Sequence, residues 1–208
     1  MPSGQVPDPD ADPAAGPRRR TPSTDVTRSL LDAALEILRT EGAGRLTVRA
    51  VAGRAGVAPM GVYSRFDGKT GLLEALFVQG FERLHTTMAA ASGPDARSRL
   101  VAACHAYRSF AAANPHHYQL MFQPPARLEV GDGAFAVARA TFAELEARTH
   151  DAMTAGAIRP GDRTETAQQI WNAVHGCVSL ELSGIGFTPD STATFAATLE
   201  TLLTGLSA

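Results

Sequence analysis

The stretch LTVRAVAGRAGVAPMGVYSRFDGKTGLLEALF, residues 46–77, limits the possible folds more than any other part of the chain. Thr47 suits a helix N-cap, because its side-chain oxygen can accept an unpaired amide of the first turn. Helical periodicity from there to about Ala55 puts Val51 and Ala52 on one face. Gly56 provides the left-handed backbone that a tight turn needs. A second short helix is predicted over about Pro59 to Phe66, with Pro59 in the first turn, where a missing N–H costs nothing. Two short helices joined by three or four residues that include Gly make a helix-turn-helix. Val51, Val57, Val62 and Phe66 are spaced to form its small core, and Ala52 fits the helix crossing. Asp67-Gly68 then breaks the chain ahead of a long fourth helix. Its stripe of Leu72, Leu73, Leu76, Phe77, Phe81, Leu84 and Met88 follows the helical period.

The flanking sequence is helical too. Leu30, Leu31, Ala34, Leu35 and Leu38 make one apolar face, with Ser23, Thr24 or Asp25 as cap and Gly42 and Gly44 as stops. Gly93-Pro94 is expected to end the fourth helix. A fifth spans about Asp95 to Ala113 with Leu100, Cys104 and Tyr107 inward. Asn114-Pro115 interrupts it, and a short helix with Tyr118, Met121 and Phe122 follows. Pro124-Pro125 and Gly131/Gly133 bracket a loop, and three more helices are predicted at about 134–155, 162–185 and 190–206. No strand-like alternation is sustained, so the class is all-α, with about nine helices. Residues 1–22 hold six of the thirteen prolines and almost no large apolar side chain, which predicts a disordered arm. Residues 23–68 then form the helix-turn-helix domain, and residues 69–208 a second helical domain.

The formal net charge is −2, which by itself argues against a polyanionic partner. Its distribution argues the other way. Residues 18–73 hold ten Lys or Arg against five acids, whereas residues 74–208 hold nine against thirteen. A basic segment joined to an acidic body suits a phosphate-binding module whose body stays off DNA.

On these residues the segment resembles the TetR family. Thr47, Ala55-Gly56-Val57, Tyr63, Phe66, Lys69 and Leu72-Leu73 stand at the matching places, and Ala33-Ala34 with Gly42 suit the first helix. The resemblance spans roughly residues 24–77. It implies an N-terminal three-helix DNA-binding domain and a C-terminal helical domain that dimerises and senses a small molecule. The implied function is that of a transcriptional regulator, a repressor released from a palindromic operator by an effector. The sequence departs from the family pattern at Ala58, where Ser or Thr is usual, at Pro59, Met60 and Gly61, which fill small flexible positions, and at Arg65, where His is common.

Chemistry and resemblance together assign roles on double-stranded DNA. Arg49 can reach guanine O6 and N7 with its fork of donors. Pro59, Met60 and Gly61 begin the recognition helix and face base edges, with thymine methyl contacts open to Pro59 and Met60. Tyr63 touches base or phosphate. Thr47, Ser64, Arg65 and Lys69 are phosphate contacts, Lys69 aided by the amides that open the fourth helix. Arg18, Arg19 and Arg20 form either a minor-groove or phosphate arm or a solvated tail.

In the second domain, Trp171 followed by His175-Gly176 resembles one TetR C-terminal subgroup. Ala167, Ile170, Trp171, Val174, Val178, Leu182 and Ile185 form one apolar stripe, and Phe195, Leu199, Leu202, Leu203 and Leu206 another. Such stripes serve a second copy of the chain, the interior, or both, and Gly176 permits close helix approach. His105, Tyr107, Phe110, Tyr118, Met121, Phe122, Phe142, Trp171 and His175 gather aromatic, sulfur and polar groups suited to an apolar small-molecule pocket. Adjacent side chains diverge on a helix, so His116-His117 make no metal pair, and Cys104 with Cys177 make no disulfide framework. No phosphate-cradling Gly loop, HExxH, Ser elbow or paired carboxylate stands out, so neither an enzyme nor a cofactor is expected. The absence of a secretory signal and of an apolar run near the roughly 18 residues of a membrane span predicts a cytoplasmic chain. The alternatives are an effector-independent helix-turn-helix protein and a helical enzyme.

Overall fold

A computed structural model describes residues 23–123, 128 and 130–207; Arg18, Arg19 and Arg20, with the rest of the N-terminal arm, lie outside them. The first helix, α1 (Ser23–Glu41), buries Leu30, Ala33, Ala34, Ile37 and Leu38 at helical spacing. Leu31 and Leu35, part of the stripe read from sequence, are half-buried at its margin. Gly42 turns the chain at φ 78°, and a single 3-10 turn, Ala43–Arg45, leads to α2 (Val48–Ala55). The Thr47 side chain caps α2 by accepting the Ala50 N–H at 3.1 Å. Gly56 takes φ 67°, the left-handed value that the tight turn requires.

The next helix, α3 (Met60–Phe66), starts without a side-chain cap, because Ala58 and Pro59 carry no acceptor. Its first turn is instead held by backbone bonds from Gly61 N–H to Ala58 O and from Val62 N–H to Pro59 O, at 2.8 and 3.0 Å. Leu30, Ile37, Leu46, Val51, Val62, Leu72 and Leu76 close the interior of this first unit. Gly71 lies where α3 meets the following helix, and a Cβ there would collide with the Phe66 carbonyl oxygen.

That following helix, α4 (Lys69–Ala89), is shared by two cores. Leu72, Leu73 and Leu76 belong to the first, while Phe77, Phe81, Leu84 and Met88 belong to the second. α4 stops short of Gly93-Pro94. Its last carbonyls are instead taken by Arg148, which donates to Met88 O at 2.8 Å and to Ala89 O and Ala91 O at 3.0 Å. A cation at a helix C-terminus also opposes the negative end of the helix dipole.

The second core is enclosed by α5 (Ala96–Ala113), α6 (Pro115–Phe122), α7 (Asp132–Thr154), α8 (Arg163–Leu182) and α9 (Ser191–Gly205). Asp95, Asp162 and Asp190 cap α5, α8 and α9 with their carboxylates. All nine helices and no strand are seen among the described residues, so the fold is all-α. Besides the end of α4, two boundaries differ from the sequence reading. Gly133 lies inside α7, whose start is fixed from outside by Gly131 N–H donating to Glu74 Oε1 at 2.9 Å. α8 ends at Leu182 and the chain turns at Gly184 with φ 67°, so Ile185 leaves the stripe assigned to it and stands 55% exposed.

Two glycines test this account of packing. Gly71→Ala forces backbone apart at the α3–α4 contact and should cost about 1–3 kcal/mol or more in urea unfolding. Gly53 lies in α2 with open space where a Cβ would go, so Gly53→Ala should be neutral or stabilise by about 0.5–1 kcal/mol. Equal effects at the two sites would contradict the contact.

Candidate nucleic-acid interface and interior cavity

The turn between α2 and α3 sorts their side chains by face. Val51, Ala52, Val62 and Phe66 go inward, with Val57 packed at the margin. Outward stand Met60 at 71% and Tyr63 at 54% exposure, a large apolar and a large aromatic group left in water. Thr47, Arg49, Pro59, Ser64 and Lys69 are exposed beside them, and Gly61 is half-buried. Arg49 and Lys69 form no ion pair among the described residues, whereas Arg54 of α2 is spent on Glu36 and Glu41 of α1 at 3.5 and 2.8 Å. The N-terminus of α4 has no side-chain cap and no acid in its first turn, so its amides stay open beside Lys69.

Arg65 is the exception among the candidate contacts. Its Nη1 lies 3.3 Å from both the Gly61 carbonyl and the Ser64 hydroxyl, and its Nε is buried without a partner. The guanidinium thus lies back along α3, and a phosphate contact would require it to swing out. Arg, being longer than the usual His, allows that fold-back.

Within the second core, α4, α5, α6, α7 and α8 line an apolar cavity of about 420 Å³, partly open to solvent beside Phe135. Five of the nine residues singled out from sequence line it: Tyr107, Met121, Phe122, Phe142 and Trp171. Tyr118 and His175 stand behind that wall. The hydroxyls of Tyr107 and Tyr118 lie 3.0 Å apart, each is within 2.8 Å of His175 Nδ1, and Trp171 Nε1–H donates to Tyr107 at 3.4 Å. This closed network satisfies its own donors. His105 and Phe110 do not reach the cavity. Cys104 and Tyr107 share the inward face of α5, which turns His105 toward Phe195 at 5.2 Å between ring centroids, and Phe110 lies a turn further along, in the core.

The wall missing from the sequence reading is α4. Phe77, Phe81, Leu84 and Met88 line the cavity, as do Leu145 of α7 and Val174 of α8. Their spacing was visible as a core stripe, and periodicity cannot tell a residue that touches another from one that faces a void. One signal was available. On α7 the residue facing the cavity beside Phe142 and Thr141 is Ala138, whose small side chain leaves volume unfilled. The polar lining consists of Thr141, Arg139 and Gln168 with the Tyr107 hydroxyl. Thr141 donates to the Phe81 carbonyl at 3.1 Å, and Arg139 lies over the Phe142 ring at 5.8 Å. Burial pushes the Cys104 thiol up to about 12, so the cavity wall holds a neutral thiol.

Two family models cover most of the described chain. Residues 30–76 match the one described as bacterial regulatory proteins of the tetR family, and residues 100–202 match the tetracyclin repressor-like C-terminal domain. The chain belongs to the TetR family. Its fold is close to that of a protein of unknown function from Rhodococcus sp. RHA1, at TM-score 0.82 and 27% identity over 92% of this chain and 99% of that one. A regulatory protein in the tetR family from Rhodococcus RHA1 shares the fold at TM-score 0.64 and 23% identity, over 88% and 97% of the two chains. The uncharacterised HTH-type transcriptional regulator YobS of Bacillus subtilis strain 168 is 29% identical over 93 residues. That match spans 44% of this chain and about half, 49%, of the relative. TetR proteins are DNA-binding transcriptional regulators and not enzymes. No described helix is long and apolar enough to cross a membrane.

In this TetR protein two histidines give the core a pH dependence. Burial holds His175 below the usual range, and burial likewise lowers His117 against the opposing effect of its bond to Leu76. A depressed histidine stays neutral in the folded state while the unfolded chain takes up the proton, so stability falls as pH drops below about 6.5. Urea unfolding at about pH 7.5 and pH 5.5 should show the loss, and His175→Gln should reduce it. A stability that rises over the same drop would contradict the neutral network.

Proposed function

We propose that this TetR-family regulator is a repressor that grips a palindromic operator as a homodimer and releases it when an apolar small molecule enters the cavity. The observation that supports the reading is the shared helix. α4 begins at Lys69 beside the α2–α3 surface and ends in the wall of the cavity, so a ligand that displaces its far end also moves the DNA-reading elements. In a two-fold dimer the half-sites lie about 34–36 Å apart or a multiple of that, and a change in this spacing loses contacts.

The outer faces of α8 and α9 suit a second copy of the chain. Leu180 is 52% exposed, and Ala197 and Thr201 stand exposed on α9. Gly176 has nothing within 4 Å of the place a Cβ would occupy, so its own chain does not require it to be small. A neighbouring helix at close range would. Leu203, by contrast, is interior. The protein would act in the cytoplasm, where an operator is accessible.

Binding the chain to fragmented DNA of its source and sequencing the retained pieces should yield an inverted repeat. Arg49→Ala should then cost about 1–3 kcal/mol per half-site and relax one base position. Lys69→Ala should weaken all sequences alike and lower the salt slope by about 1. Retention without sequence preference would reject operator reading, and an unchanged preference in Arg49→Ala would reject its role. Sedimentation should show a dimer that Gly176→Glu with Leu180→Glu dissociates while keeping its helicity. A wild-type monomer that binds the repeat tightly would contradict the dimer.

A further inference from the structure

Besides the cavity and the α2–α3 surface, the described residues enclose a second recess of about 290 Å³, where the DNA-binding and C-terminal domains meet. Three helices supply its charged walls: Glu36 and Arg39 from α1, Arg83 from α4, and His116 and His117 from α6. Arg39 and Arg83 are permanent cations, and neither forms an ion pair among the described residues. Glu36 lies 3.5 Å from Arg54, so its charge is already shared with another cation. The recess is therefore positive.

The start of α6 adds donors. Asn114, at the N-cap, makes no capping bond, because its Nδ2 donates backward to the Phe110 carbonyl at 2.8 Å. The first turn contains no acid, and Pro115 has no N–H. The backbone amides of His116 and His117 are left as the unpaired donors of the helix end, a position that favours an anion.

His117 gives the independent observation. The residue is 4% exposed and lines the recess. Its Nε2 lies 2.7 Å from the Leu76 carbonyl, which can only accept, so Nε2 carries the hydrogen. Nδ1, on the backbone side of the ring, is left as a buried nitrogen with no partner. In this neutral state Nδ1 is an acceptor, and the P–O–H of a hydrogen phosphate is a donor that would satisfy it. Once protonated, Nδ1 is a donor that an anion beside it would satisfy.

We propose that this recess binds a small oxyanion of the phosphate type, held by Arg39, Arg83 and the α6 amides, with His117 Nδ1 as a proton-dependent further donor. The bound ion would tie α1 of the DNA-binding domain to α4 and α6 at the junction of the two cores. The charged and titratable groups facing His117 across the recess are Arg83 on α4, Arg39 and Glu36 on α1, and His116 on α6; α5 presents only Ala113 and Asn114 there. Arg83 disfavours the imidazolium, and an anion between the two reverses that effect.

The test is calorimetric titration of the DNA-free protein with inorganic phosphate at an ionic strength held constant with sodium chloride. One site per chain is expected, with a Kd at roughly the millimolar level or tighter. The Arg39→Gln, Arg83→Gln double variant, with helicity and melting unchanged, should bind at least about tenfold more weakly. Proton NMR should show the His117 ring protonating at higher pH with phosphate in the wild type, and no such change in the variant. If the double variant fails to fold, Arg39→Gln alone, at an exposed position, should still weaken binding several-fold. No saturable binding to the wild type, or an unchanged Kd in every folded variant, would overturn the proposal.

Discussion

The structure depends on one helix belonging to two cores. At Leu76–Phe77, α4 passes from the interior of the helix-turn-helix domain into that of the C-terminal domain without a break. α6 pins the crossing point. His117 donates to the Leu76 carbonyl at 2.7 Å, and Gly80 has no room for a Cβ, which would meet Met121 Sδ at 2.6 Å and His117 Nε2 at 2.8 Å. α6 is itself divided, with Leu120 in the first core and Tyr118 and Met121 in the second. Neither domain can shift along α4 without disturbing that contact. Packed interiors resist continuous deformation, so displacement at one end is transmitted rather than absorbed.

The ends of the helices are held by long polar side chains. Arg148 closes the C-terminus of α4. Arg108 of α5 forms a two-pronged pair with Glu181 of α8 at 2.8 and 2.7 Å and reaches Thr192 at the start of α9 at 2.9 Å. These bonds hold the frame around the cavity, so the space inside need not be filled to keep the helices in place. The network of Tyr107, Tyr118 and His175 keeps the inner wall satisfied and apolar toward the cavity. A ligand there gains chiefly from burying its own apolar surface.

Much of this was legible in the sequence. The helix-turn-helix followed from Thr47, Gly56 and the spacing of Val51, Val62 and Phe66, because a tight left-handed turn between two short helices leaves few alternatives. The Gly and Pro punctuation placed most other elements, whereas the capping by Asp95, Asp162 and Asp190 emerged only in the structure. Local signals failed where a boundary is set by a distant partner. The end of α4 depends on Arg148, 59 residues beyond Ala89 in the chain. The start of α7 depends on Glu74, 57 residues before Gly131. The candidate cavity was half visible for a related reason: aromatic residues on α5, α6, α7 and α8 drew attention by type, whereas its α4 wall looked like ordinary core. The fold-back of Arg65 had no sequence signal at all.

If α4 links occupancy of the cavity to grip on DNA, each must oppose the other. The direct measurement is reciprocal. A small apolar ligand found by thermal stabilisation is titrated against the fluorescence of Trp171, a cavity residue and the one tryptophan of the chain, with and without saturating operator. Operator affinity is then measured with and without the ligand. Each partner is expected to weaken the other by the same factor, typically about 5- to 150-fold. A ligand that binds in the cavity with equal affinity whether or not operator is present would contradict it.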